Sequence, residues 1–265
     1  MVDKPKFIID KKPLKDVKNI IAIGSGKGGV GKSTVTVNLA LSLKNQGLKV
    51  GLLDADVYGP NVPMMMGLSG TPSITEDKKI IPLEKEGIKI LSVDFFVQED
   101  QPLIWRGPLV SNLINQFVND VEWGELDYLL IDLPPGTGDV QISLSQKLKL
   151  TGGIVVTTPQ KVAQYDVKKA VNMFKSVQVP VLGVVENMSH ILCPKCGEKI
   201  FLFPQGGGEE LSKMFDIELL GTLPFDPQVS ANSDEGKPIV LVSPDNPISK
   251  TYKEIAENLT KKTSN

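Results

Sequence analysis

A glycine-rich segment that ends in Lys-Ser-Thr constrains the fold of this chain more than any other feature. Residues 26–34 read Gly-Lys-Gly-Gly-Val-Gly-Lys-Ser-Thr. The segment follows the apolar run Ile20–Ile23 and opens a stretch with helical spacing at Lys32–Asn45. A strand, a glycine loop and a helix in this order present backbone N–H groups and a helix N-terminus to an anion. The sequence therefore predicts a strand-to-helix turn that binds the phosphates of a nucleotide.

The residue types within this loop predict individual contacts to ATP and Mg²⁺. Glycines let the backbone fold closely around phosphate oxygens. We expect the ammonium group of Lys32 to reach the β- and γ-phosphates and the hydroxyl group of Ser33 to ligate Mg²⁺, which makes Lys32 a candidate catalytic residue as well. The loop residues predicted to bind the nucleotide are Gly26, Gly28, Gly29, Val30, Gly31, Lys32, Ser33 and Thr34.

Short apolar runs recur along the chain between longer segments with helical spacing. The runs lie at residues 20–23, 50–53, 88–93, 128–131, 154–157, 181–185 and 217–220. Near-continuous apolar runs of this length are typical of strands that are buried on both faces of a parallel sheet. The sequence predicts the α/β class: a doubly wound, mostly parallel sheet flanked by helices, as in P-loop NTPases.

Two segments interrupt this rhythm, and the start of the chain departs from it. Residues 1–18 contain six lysines, three aspartates and two prolines, which predicts a flexible basic arm before a single P-loop ATPase domain at 19–265. Residues 58–86 are rich in Pro, Gly and Met, so we expect a mobile insertion with a short hairpin. Residues 187–208 form the second interruption, a loop that carries both cysteines.

Charge and hydropathy disfavour two classes of partner. The formal net charge is -2 at pH 7 and the pI is about 5.6, which argues against a surface built to neutralise nucleic-acid phosphates. No apolar run approaches the roughly 18 residues of a membrane span, and the first residues lack the apolar core of a signal peptide. We therefore expect no nucleic-acid partner, no membrane contact and a cytoplasmic location.

Three acidic residues follow apolar runs at the predicted carboxyl ends of strands. Asp54 and Asp56 come after the run at 50–53, and Asp132 comes after the run at 128–131. In an open parallel sheet, ligands gather outside the carboxyl ends of the strands. A Pro/Gly-rich segment at 133–139 follows Asp132 and is suited to reorganise when a phosphate group leaves. These acids are therefore candidates for the nucleotide and Mg²⁺ site.

Cys193 and Cys196 are the only cysteines, and they form a C-x-x-C pair. In a reducing compartment such a pair is more often a metal or redox site than a structural disulfide. Two thiolates are half of the four that hold a 4Fe-4S cluster or a structural Zn²⁺, and a second copy of the chain would supply the other half. His190 is close enough in sequence to serve as a third zinc ligand. A thioredoxin-like redox pair is disfavoured because the cysteines do not open an obvious helix.

Lys27 adds a second lysine to the phosphate loop, five residues before Lys32. The pattern K-G-G-x-G-K-S resembles the deviant Walker A motif of the family that contains MinD, ParA, the nitrogenase iron protein and the Mrp/ApbC scaffold proteins. This resemblance implies a homodimer in which Lys27 acts in trans on the partner's nucleotide, much as an arginine finger does. It further implies that Asp56 positions the attacking water, that Asp132 holds Mg²⁺ through water, and that Asn187 contacts adenine.

Three further motifs narrow the resemblance to the Mrp/ApbC iron–sulfur cluster carriers. They are Asp-Ala-Asp-Val-Tyr-Gly-Pro-Asn at 54–61, Trp-Arg-Gly-Pro at 105–108 and Leu-Pro-Pro-Gly-Thr-Gly-Asp at 133–139. With the cysteine pair, this resemblance extends over roughly residues 19 to 260. It implies an ATPase whose homodimer carries a 4Fe-4S cluster between Cys193 and Cys196 of both subunits, receives it from a donor scaffold and passes it to apo-protein clients.

Two other functions share the deviant loop and remain alternatives. A spatial-organisation ATPase of the MinD or ParA class needs a membrane helix or a DNA-binding face in place of a C-x-x-C pair. An electron-transfer protein like the nitrogenase iron protein holds its dimer cluster with one cysteine from each of two separated loops per subunit. The adjacent cysteines favour the carrier, and the modest net charge weakens the case for a DNA-binding ATPase.

Overall fold

The computed structural model describes residues 11–96 and 107–264, which form an eight-stranded sheet covered by helices on both faces. The strands are β1 Val17–Ser25, β2 Val50–Asp54, β3 Ser73–Ile74, β4 Ile80–Ile81, β5 Leu83–Lys85, β6 Ile88–Ser92, β7 Leu126–Asp132, β8 Gly152–Thr157, β9 Val181–Glu186, β10 Ile191–Leu192, β11 Lys199–Ile200 and β12 Leu219–Thr222. The α-helices are α1 Lys32–Asn45, α2 Val62–Met65, α3 Gly107–Asn119, α4 Asp139–Lys147, α5 Lys161–Ser176, α6 Gly207–Phe215, α7 Pro227–Asp234, α8 Ile239–Val242 and α9 Pro247–Thr263.

Strand β1 lies inside the sheet, and the chain order of the strands reverses around it. The spatial order is β12-β9-β8-β1-β7-β2-β6-β5, and every neighbouring pair is parallel except β5 with β6 at the edge. The predicted doubly wound α/β fold is therefore confirmed. Loops at the carboxyl ends of the strands on either side of such a reversal border one crevice, which is where ligands bind in this fold class.

Alternation along β1 divides the core into two layers. Ile20 and Ala22 belong to the cluster that packs against α3, α4, α5 and α6, whereas Ile21 and Ile23 belong to the cluster that packs against α1, α8 and α9. Successive side chains of a strand point to opposite faces, so a strand that is buried on both faces must be apolar at consecutive positions. The continuous apolar runs in the sequence follow directly from this geometry.

Helix α9 closes one face of the sheet through a stripe of buried residues. Ile248, Tyr252, Ile255 and Leu259 are buried, and their three- or four-residue spacing places them on one side of the helix. The side chain of Asn246 caps its N-terminus by accepting the backbone N–H of Ile248 at 2.9 Å. Within the described ranges, no helix combines the length and the apolar character that crossing a membrane requires.

The predicted flexible arm is ordered in part. Residues 1–10 lie outside the described residues, as do Trp105 and Arg106 of the Trp-Arg-Gly-Pro motif. Lys12, however, exchanges backbone hydrogen bonds with its neighbours at the end of α4 and pairs with Leu148, and β1 begins at Val17. The folded domain therefore starts before the predicted boundary at residue 19, because this short segment adds backbone hydrogen bonds beside the sheet.

Both interruptions of the sequence rhythm contain small antiparallel hairpins. In the 58–86 insertion, β3 pairs with β4, as expected; its mobility stays a prediction. In the 187–208 segment, β10 pairs with β11. The base of this second segment is fastened where Glu186 Oε2 accepts the backbone N–H of Gly208 at 2.5 Å. The cysteine-bearing loop is thus a hairpin with a closed base.

Candidate functional site

The phosphate loop runs from the end of β1 to the start of α1. It requires glycine where φ is positive and where neighbouring atoms leave no room for a Cβ atom. Gly29 and Gly31 adopt φ values of +76° and +77°, which side chains rarely tolerate. A Cβ atom on Gly26 would lie 2.2 Å from the backbone carbonyl carbon of Asp166, and one on Gly31 would lie 2.2 Å from Asn187 Nδ2. The glycines therefore set both the turn and the close packing around it.

Lys32 and Asp132 form a buried ion pair at the first turn of α1. The Lys32 side chain is 6% exposed and that of Asp132 is 0% exposed, with Nζ 2.8 Å from Asp132 Oδ1. Ser33 Oγ donates to Asp132 Oδ2 at 2.6 Å, and Thr36 Oγ1 donates to Oδ1 at 2.9 Å. Both oxygens of this carboxylate therefore have partners. Ser33, predicted to ligate Mg²⁺, is thus hydrogen-bonded to Asp132, the carboxylate predicted to hold the ion through water.

Asp54 and Asp56 bring further negative charge to the same lysine. Asp54 pairs with Asp132 in the strand register, and Asp56 Oδ2 lies 3.4 Å from Lys32 Nζ. Burial, reinforced by the charge of Asp132, raises the pKa of Asp54 to about 7. Burial also raises the pKa of Asp56, and the nearby Lys32 opposes this shift. Three carboxyl groups around one ammonium group leave excess acid, so a divalent cation beside Ser33 and Asp132 fits the charge and the oxygen chemistry of the site.

The cavity over the loop has a volume of about 200 Å³ and is bordered by two strand-end segments. Asp56, Asn61 and Met65 contribute from the segment after β2, and Pro135 contributes from the segment after β7. The second segment is tied to the loop because the backbone N–H of Gly136 donates to Ser25 O at 2.9 Å. A ligand on the loop would therefore lie beside both segments, one of which, at 133–139, is predicted to reorganise when a phosphate group leaves.

The Lys27 side chain forms a hydrogen bond within its own chain. Its Nζ atom donates to Gln160 Oε1 at 3.1 Å, and the side chain is half-buried. The loop around it is held because Ser25 Oγ donates to Lys27 O at 2.9 Å. The action of Lys27 across a dimer interface stays a prediction.

Asn187 packs against the phosphate loop at Val30. It is buried, follows β9 directly, and donates from Nδ2 to Val30 O at 2.9 Å. Its backbone N–H donates to Thr157 O at 2.8 Å, which continues the pairing of β9 with β8. The carboxamide predicted to read adenine is therefore already beside the nucleotide loop.

Cys193 and Cys196 form a tight turn at the end of the β10–β11 hairpin. Cys193 N donates to Glu198 O, and Gly197 N donates to Cys193 O, each at 2.8 Å. Hydrogen bonds from the backbone N–H groups of Lys195 and Cys196 and from the Cys196 side chain lower the pKa of the Cys193 thiol. Both thiols are free, Cys193 half-buried and Cys196 exposed. The lowered pKa increases the share of Cys193 that is thiolate, the form that binds metal.

The part of the chain that the structure describes holds no group of three metal-ligating side chains. His190 is buried, its Nδ1 atom lies 2.6 Å from Ser189 Oγ, and its ring packs on Phe201 with centroids 5.7 Å apart. Large apolar side chains are exposed along the hairpin and the adjoining turn. They are Ile200, Phe201, Leu202 and Phe225. The described residues of one chain thus offer a two-thiol half-site beside an uncovered apolar surface.

Several contacts at the site were not anticipated from sequence. Thr36, one turn into α1, binds Asp132, and Ser92 Oγ at the end of β6 donates to Asp54 Oδ2 at 3.0 Å. Gln160 holds Lys27, and Glu186 fastens the cysteine loop. The strand-end position of Ser92 was a usable signal, because polar residues that end apolar runs gather at one edge of the sheet. The partners of Lys27 and Glu186 depend on tertiary packing that no local pattern reveals.

Comparison with known proteins assigns the sequence to a family. Residues 16–260 match the model of a ParA-type family described as NUBPL iron-transfer P-loop NTPase. The chain is 52% identical to an iron-sulfur cluster carrier protein of Aquifex aeolicus over 97% of its length and 70% of that protein. It is 44% identical to the mouse iron-sulfur cluster transfer protein NUBPL, over 95% of this chain and 80% of that one.

Solved structures support the same assignment at the level of the fold. A nucleotide-binding protein from Archaeoglobus fulgidus in complex with ADP is 41% identical and superimposes with a TM-score of 0.74, over 84% of this chain and 88% of that one. The cell division ATPase MinD of Pyrococcus furiosus is 25% identical, with a TM-score of 0.68 over 92% of this chain and 99% of that one. Sequence and fold together show that this chain belongs to the NUBPL iron-transfer P-loop NTPase family.

Proposed function

We propose that this protein is an ATP-hydrolysing carrier that assembles a 4Fe-4S cluster between two copies of the chain and transfers it to apo-proteins. The observation that carries the proposal is the two-thiol turn at Cys193 and Cys196, held at the end of a hairpin on a P-loop NTPase fold. Relatives named as iron-sulfur cluster carriers or transfer proteins, 44% to 52% identical over nearly the whole chain, support it.

The P-loop side of the proposal concerns ATP. Backbone N–H groups of the loop and the Lys32 ammonium group bind the phosphates, and Asn187 binds the edge of adenine through its donor and acceptor atoms. Asp56 positions the attacking water, and Lys27 of the second copy offsets charge on the transferred phosphoryl group. Ser33 and Asp132 would hold Mg²⁺, which when bound would neutralise charge at the phosphate oxygens.

The thiol side of the proposal requires a second copy of the chain. One chain contributes two sulfur ligands, and a two-fold axis between two facing hairpins brings together the four that a 4Fe-4S cluster takes. The exposed apolar side chains Ile200, Phe201 and Leu202 give the partner a surface to cover. Thiolates that must stay free between transfers need a reducing compartment, for which we propose the cytoplasm. A donor scaffold loads the cluster and apo-protein clients receive it.

Anaerobic reconstitution tests the carrier. After incubation with iron and sulfide, we expect about four irons per dimer, a cluster absorption band, and activation of an apo-protein that needs a 4Fe-4S centre. Cys193→Ala should abolish all three. Lys195→Ala is the matched control, since it changes the same turn but keeps both thiols and the backbone donor. Stoichiometric zinc that no iron treatment displaces would instead identify a structural clamp.

Two lysine variants test the ATPase. Lys32→Ala should remove nucleotide binding, whereas Lys27→Ala should bind ATP normally and lose most turnover, because its proposed partner is the phosphoryl group in the other subunit. Isothermal titration and phosphate release at several protein concentrations measure the two properties separately. Unchanged turnover of Lys27→Ala would remove the trans-acting role.

A further inference from the structure

The segment between the nucleotide loop and the cysteine pair is short and continuously bonded. Asn187 touches Val30 of the loop, and Cys193 lies six residues later. Ser189 N donates to Leu223 O at 2.9 Å, and His190 O accepts the backbone N–H of Phe225 at 2.7 Å. Six residues span at most about 20 Å, and these pairings leave no slack segment between the two ends. Asn187 and Cys193 are therefore joined by a short segment that is itself hydrogen-bonded to the residues after β12.

The residue at the start of this segment is also the one proposed to contact the base. Asn187 Nδ2 lies against the loop, donating to Val30 O at 2.9 Å, and is so close that a Cβ atom on Gly31 would sit 2.2 Å from it. Reading an adenine edge needs both the donor and the acceptor of the carboxamide in the plane of the base. Because its NH2 group has two N–H donors, Asn187 can bind Val30 O and a base together, and base binding then adds contacts at the residue that starts this segment. Met188, the next residue, has a φ of +56°, a left-handed conformation that residues other than glycine adopt uncommonly.

The far end of the segment has room to respond. A cavity of about 470 Å³ lies beside Cys193 and Pro194, with Pro224, Phe225 and Pro247 on its other walls. The hairpin strands β10 and β11 contain two residues each and pair only with one another in the described sheets. The thiol turn is therefore held at its base and unpacked on the side of this cavity, so it can shift as a unit.

From these contacts we infer that Asn187 is a positioning residue that couples occupation of the base site to the conformation of the Cys193–Cys196 turn. The inference rests on the proposed function in taking Asn187 as the base-reading residue. It adds the direction of communication, from the base rather than from the phosphates. A ligand shifts a conformational equilibrium only through contacts that differ between the two states, and a bound base would add such contacts at the amide of Asn187.

Thiol labelling of the apoprotein tests the coupling without any cluster. Cys193 is labelled with iodoacetamide in a Cys196→Ser background, with no ligand, with saturating Mg-ATP, or with saturating inorganic tripolyphosphate and Mg²⁺. We expect ATP to change the labelling rate at least about fivefold, the lower end of typical coupling between sites. Tripolyphosphate, which fills the loop and has no base, should leave the rate unchanged. An equal effect of both ligands would overturn the inference, because the signal would then come from the phosphates.

Two variants test whether the effect of ATP on Cys193 labelling passes through the segment from Asn187 to Cys193. Asn187→Ala, at nucleotide concentrations that saturate it, should lose the ATP response. Asn258→Ala is the matched control, since that amide also donates to a backbone carbonyl, Leu220 O at 3.4 Å, but on α9. Met188→Gly should bind ATP within about twofold of the parent and respond less, because it adds backbone freedom between the two sites. A full ATP response in both Asn187→Ala and Met188→Gly would refute the coupling.

Thiol labelling and cluster reconstitution test different properties of the protein. Labelling reports the position of an unmetallated thiol, so it can succeed in a protein that never assembles a cluster. Reconstitution can likewise succeed when ATP has no effect on labelling. Failure of one experiment therefore leaves the other interpretable.

Discussion

The nucleotide edge and the cysteine hairpin meet at Asn187 but are built in opposite ways. At the nucleotide edge, Lys32 and Asp132 are buried in the sheet-to-helix layer, and both carboxylate oxygens have partners. At the hairpin, two strands of two residues carry a half-buried and an exposed thiol among exposed apolar side chains. One site is preorganised by the core, and the other is presented to the outside.

The difference follows from what each site must do with its ligand. A site that stabilises charge in a reaction gains from fixed dipoles and from excluded water, which burial supplies. Ligands to a cargo that must leave for another protein need to be reachable by that protein, which exposure supplies. The two sites should therefore respond to substitution on different scales, and four measurements test this.

The largest effect is expected from Lys32→Ala. Removing one partner of a buried ion pair leaves an uncompensated charge at Asp132 and costs about 3–5 kcal/mol of unfolding free energy. Urea denaturation of the apoprotein measures this loss. Lys44→Ala, in the last turn of the same helix, is the control and should change little. A near-neutral Lys32→Ala would mean that the acids tolerate one another without the lysine.

A pH dependence at the nucleotide edge comes next. Because the pKa of Asp54 is raised to about 7, the folded state binds a proton that the unfolded state has released above about pH 4. Stability should therefore fall as pH rises from 5 to 8, by on the order of 2 kcal/mol from this group. Thermal denaturation in EDTA across this range checks it. Asp54→Asn should flatten the slope, and an unchanged slope in that variant would assign the titration to another group.

A matched pair of glycines compares the two regions directly. Gly31 and Gly197 have φ values of +77° and +74°, but a Cβ atom would clash with Asn187 at Gly31 and meet nothing within 4 Å at Gly197. Gly197→Ala should cost about 1 kcal/mol from backbone conformation alone. Gly31→Ala should cost roughly 1–2 kcal/mol more, because the clash is added to the same strain. Equal losses in chemical denaturation would show that the loop yields as easily as the hairpin.

The smallest effect on stability is expected at a proposed cargo ligand. Cys196→Ser replaces an exposed thiol and should change the unfolding free energy by less than about 0.5 kcal/mol under reducing conditions. Iron binding after reconstitution should nevertheless be lost. A large loss of stability in the apoprotein would mean that the hairpin contributes to the folding of the whole domain.

Sequence reasoning reached the parts of this molecule that are governed by local rules. The strand-loop-helix around Lys32 and the apolar runs of the parallel sheet follow from backbone geometry and from burial on both faces, and both are present. The start of the fold was placed too late because Lys12 is held by partners near Leu148, far away in sequence. The hydrogen bond from Lys27 to Gln160 was not predicted for the same reason, since Gln160 is far away in sequence. The ligand roles of Asp56, Asn187 and the thiols stay predictions, since they depend on molecules outside the chain.

The contact between Glu186 and Gly208 joins the two ends of the cysteine segment. The ends of the segment are joined at the end of β9 and the start of α6, so the roughly twenty residues between them form a closed loop beside the sheet. Glycine is required there because a Cβ atom on Gly208 would lie 2.8 Å from Leu219 Cδ1. Exposed residues near the tip of the closed loop, such as Lys195 and Cys196, can change without repacking the core. The tip that carries the thiols can therefore diversify while the buried start of the segment, which contacts the nucleotide loop at Val30, is held in place.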